Sequence, residues 1–133
     1  MSELISPFFF ELPTKIEYGP GCISTLPGHL IKRGAKRPII VTGKSSAKTG
    51  ALGRITSMLD EAGIAWVVYD GVEPNPKDVN VRDGAAVARE FGADSIVALG
   101  GGSPIDCAKA IGVLMAHNSD DIKKYEGKTA ATE

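Results

Sequence analysis

Apolar positions along the chain fall into three short dense runs separated by stretches of helical period. Ile39-Ile40-Val41, the IAWVVY run ending at Tyr69, and SIVAL from Ser95 to Leu99 are apolar without alternation. Runs of that length without alternation are the pattern of strands covered on both faces in a parallel sheet. They predict strands over 36–42, 64–69 and 95–99. Between them Leu52, Ile55, Leu59 and Ala62 recur at spacings of 3, 4 and 3. That stripe predicts a helix over 49–62 with Gly63 as its C′ residue. Val81, Ala85 and Ala88 mark a helix over 78–91 closed by Gly92, and Ile105, Ala108, Ile111 and Met115 mark the apolar side of a last long helix ending near His117. A first helix is expected over 23–32, after the Gly19-Pro20-Gly21 turn.

Residues 7–18 carry strand formers around Pro13, which cannot donate inside a ladder, so an edge hairpin is expected there. Phe8, Phe9 and Phe10 cannot all face one core, because side chains alternate across a strand. A short helix over 119–125 and a frayed tail follow. Alternating strands and helices make the fold α/β: one domain over residues 1–133, a parallel sheet with helices on both faces and an N-terminal β-hairpin.

The chemistry concentrates after the third strand. Gly100, Gly101 and Gly102 run into Ser103-Pro104-Ile105-Asp106, which reads as a helix start with Ser at N-cap, Pro at N1 and an acid at N3. Side-chain-free residues at a helix N-terminus offer N–H groups and partial positive charge to a phosphate. The spacing is only part of G-x-G-x-x-G, since Ile105 stands where the third glycine belongs, and a plain αβ turn is the alternative. Asp106 either completes a capping box with Ser103 or touches the ligand. Cys107 sits in the first helical turn, where the dipole lowers a thiol pKa, but its apolar neighbours predict an inert side chain.

Two further loops stand where a parallel sheet binds ligands, beyond its strands' carboxyl ends. Gly43, Lys44, Ser45 and Ser46 follow the first strand. They are not a P-loop: that motif needs a glycine at position 38, which is Pro38. They read either as a solvated polar turn or as cofactor contacts. Asn75 lies between Pro74 and Pro76, which stiffen the loop and either present its amide to a ligand or simply make a turn. Trp66 reads as core.

Composition narrows the class. At 133 residues, 43% hydrophobic and 23% charged, the chain is long enough and apolar enough to fold. A net charge of −1 with scattered Lys and Arg argues against nucleic acid as a partner. No apolar run reaches membrane-span length, and the N-terminus has no secretory pattern, so a cytoplasmic protein is expected. Cys22 and Cys107, 85 positions apart, match no zinc or redox spacing and read as two buried free thiols. His29 and His117 read as structural residues, His29 without a partner.

G-G-G-S-P-I-D-C-A-K-A-I-G, together with Ile16-Glu17-Tyr18-Gly19-Pro20-Gly21 and Glu73-Pro74-Asn75-Pro76, resembles the iron-containing (group III) alcohol dehydrogenases. The resemblance runs from about Pro7 to Tyr125. It implies a Rossmann-like nucleotide-binding domain and hydride transfer between an alcohol or aldehyde and NAD or NADP. Gly43, Lys44, Ser45, Ser46, Asn75, Gly100, Gly101, Gly102, Ser103 and Asp106 are then the cofactor-binding candidates, with Asn75 beside the nicotinamide. An Asp often takes the place of Gly43 in NAD-using members, so Lys44 and two hydroxyls in a loop without a carboxylate favour NADP. The family's iron or zinc is held by one Asp and three His of a helical C-terminal domain. With two histidines the chain is expected to lack that metal domain and to carry no catalytic or metal-ligating residue. An N-terminal strand that pairs across a homodimer would cover the phenylalanines. The alternative is a stand-alone module that binds a nucleotide or a partner and catalyses nothing. Dehydroquinate synthase and glycerol dehydrogenase share the glycine turn, but the S-P-I-D-C-A-K-A-I-G continuation fits the alcohol dehydrogenases better.

Overall fold

The computed structural model describes residues 14–75 and 77–117. Three strands, β1 (Pro38–Thr42), β2 (Val67–Tyr69) and β3 (Ser95–Leu99), form one parallel sheet in the order β2-β1-β3. Parallel neighbours need crossover segments, and helices supply them. A 3-10 turn (Cys22–Thr25) leads into α1 (Leu26–Lys32); α2 (Lys44–Lys48) and α3 (Ala51–Glu61) separate β1 from β2; α4 (Asp78–Phe91) separates β2 from β3; and α5 (Gly102–Ala116) closes the order.

The alternation of β1 assigns the two faces. Ile39 and Val41 point to a core shared with Val81, Ala85 and Ala88 of α4 and with Cys107, Ala108, Ile111 and Leu114 of α5. Ile40 points the other way, to Leu30, Ile55, Leu59 and Ile64. Helices therefore cover both faces, as the strand pattern predicts. Trp66 joins the second core, half-buried, and its Nε1–H donates to Asp60 Oδ1 at 2.8 Å.

Several expectations need correction. Only β1 is buried along its whole length; β3 is half-buried, with Ala98 exposed, because among the described residues no strand pairs with its second edge. β1 starts at Pro38 rather than at 36: the N–H groups of Lys36 and Arg37 donate to the Asp94 carboxylate at 2.8 and 2.9 Å. β2 starts at Val67 rather than at 64. The first helix splits in two, with Pro27 in the opening turn of α1. The buried stripe of α5 is Pro104, Cys107, Ala108, Ile111 and Leu114, while Ile105 is 40% exposed. This helix carries charges only at Asp106 and Lys109, so its polar side is poorly marked and the stripe is ambiguous by one position. Residues 14–18 form no strand, and Ile16 and Tyr18 are exposed. The rest of the expected hairpin, Pro76, and the helix and tail after 118 lie outside the described residues.

α4 and α5 cross closely at Gly84. A Cβ there would collide with Ile111 Cδ1 and stand 3.1 Å from the Tyr69 ring. Glycine is what lets the two helices and β2 meet.

Candidate functional site

Because β1, β2 and β3 are parallel, their carboxyl ends share one edge of the sheet. Three segments leave that edge: 43–46 after β1, 70–74 after β2, and 101–104 after β3. Together they line a cleft of about 430 Å³. The sheet order reverses between β1 and β3, the position where open α/β sheets bind their ligands.

The glycines differ in what they do. Gly100 has φ +132°, and a Cβ there would stand 2.8 Å from Pro104 Cγ and 3.2 Å from Ser46 Oγ. It lets the chain turn tightly beside Ser46. Gly101 and Gly102 are different: a Cβ on either would meet nothing within 4 Å. They leave open space in front of the backbone at the start of α5, a helix of 15 residues whose N-cap, Gly101, has no side-chain partner. Free first-turn N–H groups and the helix dipole favour an anion at that point. Gly43 has ordinary extended backbone, but a Cβ on it would stand 2.9 Å from the Val72 carbonyl oxygen.

Charge in the cleft is mixed. Lys44 Nζ lies 3.9 Å from Asp70 Oδ2, and with the Lys44 side chain 75% exposed the contact is loose. Glu73 is paired at 3.9 Å with Lys77. Backbone amides and Lys44 favour an anion in the cleft, and Asp70 opposes one. Asp70 is not singled out by the sequence pattern, and Glu73 enters only as the first residue of the Glu73-Pro74-Asn75-Pro76 stretch. The available signal was position: Asp70 directly follows β2, at the same edge as Gly43.

Of the candidate residues, the cleft brings together Gly43, Lys44, Ser45, Ser46, Gly101, Gly102 and Ser103, with Gly100 packed directly behind. Asn75 and Asp106 are not in its walls. Asn75 has φ +58°, the left-handed conformation in which Asn commonly makes a turn. Asp106 is exposed on α5, and the capping box with Ser103 does not form, because the helix starts at Gly102 and Ser103 is already inside its first turn. Residues 44–48 are also helical rather than a loop.

A separate hollow of about 280 Å³ lies among Lys15, Glu17, Cys22 and His29. Its polar groups are mostly satisfied by each other. Thr25 Oγ1 donates to Glu17 at 2.6 Å, and His29 Nε2 lies 2.7 Å from Glu17 Oε1. These hydrogen bonds hold the Glu17 carboxyl below the usual range. His29 is therefore not unpartnered; it clasps residues 14–18 to α1. Cys22 is half-buried rather than buried, whereas Cys107 is buried and its thiol is pushed up to about 11 by burial. That outweighs any pull from the helix dipole.

Residues 13–133 match the family model of iron-containing alcohol dehydrogenases. The chain belongs to that family. It is similar to 1,3-propanediol dehydrogenase of Citrobacter freundii, at 45% identity over 90% of this chain and 31% of the relative. Lactaldehyde reductase of Escherichia coli (strain K12) is 39% identical over 83% of this chain and 29% of that protein. The fold superposes on the crystal structure of a 1,3-propanediol oxidoreductase with a TM-score of 0.78 and 47% identity, covering 82% of this chain and 28% of that one. The chain thus spans about a third of the length of the curated iron-containing alcohol dehydrogenases it matches. Among the described residues, no group of three or more His, Cys, Asp and Glu is gathered to hold a metal, so these residues do not fit an iron or zinc ion.

Proposed function

We propose that the cleft binds the diphosphate of a nicotinamide dinucleotide. On this reading the chain is the cofactor-binding part of an alcohol dehydrogenase moving hydride between an alcohol or aldehyde and NAD(P). The observation that carries the proposal is the open backbone at Gly101 and Gly102, where α5 begins at the point of sheet reversal. The geometry fits a diphosphate: these amides have no side chain in front of them, and the cleft is wide enough for more than a single anion. The nicotinamide, when bound, supplies the hydride acceptor. This chain's part is to bind and orient it. Gly101, Gly102 and Ser103 take the diphosphate, and residues 43–46 take the adenosine side. Asn75, next to Pro74 of the wall, shapes the loop toward the nicotinamide, and Asp106 stands near the helix start without lining the cleft.

We favour NADP because Lys44 is the cation of the wall and residues 43–46 hold no carboxylate. Asp70 weakens this preference without cancelling it, since its contact with Lys44 is long and exposed. Calorimetry of NADP(H) against NAD(H) tests the choice. Gly43→Asp should lower NADP(H) affinity more than Gly43→Ala does. The alanine control is needed because any Cβ there crowds the Val72 carbonyl. Equal effects of the two substitutions would refute the charge argument.

The 133 residues alone are proposed to bind dinucleotide without oxidising a primary alcohol in the presence of Fe(II) or Zn(II). Turnover by this chain would refute that. A homodimer through the N-terminal strand and a reducing, cytoplasmic setting for the two unpaired thiols complete the proposal.

A further inference from the structure

Thr42 is the last residue of β1 and is fully buried. The three residues before it are Ile39, Ile40 and Val41, and a valine at 42 would suit the strand as well. A buried hydroxyl needs a hydrogen-bond partner. Thr42 Oγ1 has one: it donates to the Leu99 carbonyl at 2.8 Å, across the β1–β3 register in which Thr42 faces Leu99. The Thr42 carbonyl accepts the Val72 N–H at 3.3 Å. One residue thus touches all three walls of the cleft. Gly43 follows it in the chain, Val72 is bonded to its main chain, and Leu99, bonded to its side chain, leads directly into Gly100.

We propose that Thr42 is the positioning residue of this cleft, its hydroxyl fixing the Leu99 carbonyl and so the placement of the amides of residues 100–102 opposite residues 43–46. The proposal rests on the reading that the cleft holds a dinucleotide diphosphate. Thr42 itself touches no ligand, because it has no exposed surface. The hydrogen bond spans the gap between β1 and β3, where the sheet order reverses. It sits at the last paired residues of the two strands, beyond which no ladder sets their separation.

The test compares Thr42→Val, which keeps the shape and loses the hydroxyl, with Thr42→Ser, which keeps the hydroxyl. Two measurements are made on the full chain: the backbone amide resonances of the free protein, and calorimetric binding of ADP-ribose and of adenosine. Thr42→Val should shift the amides of residues 100–102 while leaving those of α3 in place. It should weaken ADP-ribose about tenfold, or ~1.4 kcal/mol, and leave adenosine unchanged. Thr42→Ser should restore both readouts. Unmoved amides with unchanged ADP-ribose affinity in Thr42→Val, or a serine variant that behaves like the valine one, would overturn the proposal. If Thr42→Val does not fold, Thr42→Ser against Thr42→Ala gives the same contrast in hydroxyl at equal loss of the methyl. A wild-type chain that does not bind ADP-ribose would refute the dinucleotide reading and the ligand half of this proposal; the amide resonances then decide the positioning half separately.

Discussion

Two glycines two residues apart should respond oppositely to the same methyl group. Gly100→Ala forces a side chain onto φ +132° and against Pro104, and should destabilise the fold by about 1–3 kcal/mol. Gly102→Ala adds a methyl to open space at the first position of α5, and should leave stability unchanged or raise it by about 0.5–1 kcal/mol. Dinucleotide affinity should nevertheless fall in Gly102→Ala, since the methyl stands where the ligand approaches. Thermal unfolding and calorimetry on the same two samples check both halves. The thiols offer a similar contrast. At pH 8 a thiol reagent should modify half-buried Cys22 in the native protein, and Cys107 only on unfolding, because burial removes access and raises its pKa to about 11. Rapid native labelling of both would contradict the packing of α5.

At the scale of elements, Asp94 ties the start of β1 to the start of β3. Its carboxylate accepts the N–H groups of Lys36 and Arg37 and, at 2.9 Å, the Ser95 hydroxyl. The backbone donors hold its pKa below the usual 3.8. A lowered folded pKa means stability present above pH 3.8 and lost as pH falls through that value and below it. Asp94→Ala should therefore cost about 1–2 kcal/mol at pH 6, less than a buried case because the group is exposed. The urea midpoints of variant and wild type should draw together as pH falls below 3.8. Elements with clear amphipathic contrast were legible in advance: Ile55 and Leu59 of α3, and Val81, Ala85 and Ala88 of α4, are buried as their spacing predicts. α5 was legible only in part: Ala108 and Ile111 are buried as their spacing predicts, but Ile105 is exposed, since a helix with two charges in 15 residues marks its polar side poorly. The five-residue α2 was not legible, because Lys-Ser-Ser-Ala-Lys has neither a stripe nor a cap.

For the molecule as a whole, the parallel sheet with two helical layers was legible because β1 is apolar on both sides and every crossover has a helical period. The position of the cleft followed from it. Asp70 and the organiser of the cleft did not: Asp70 and Thr42 matter through Lys44, Leu99 and Val72, neighbours far along the chain, and no spacing rule announces that. Trp66, the chain's single tryptophan, has a practical consequence. It lies in the core layer of α1 and α3, tied to Asp60, and is not in the cleft walls. Its fluorescence is therefore a built-in gauge of global folding that hardly notices the ligand. Dinucleotide titration should leave the emission maximum in place, while denaturant should move it to longer wavelength in one step, so one cuvette can separate variants that fail to bind from variants that fail to fold.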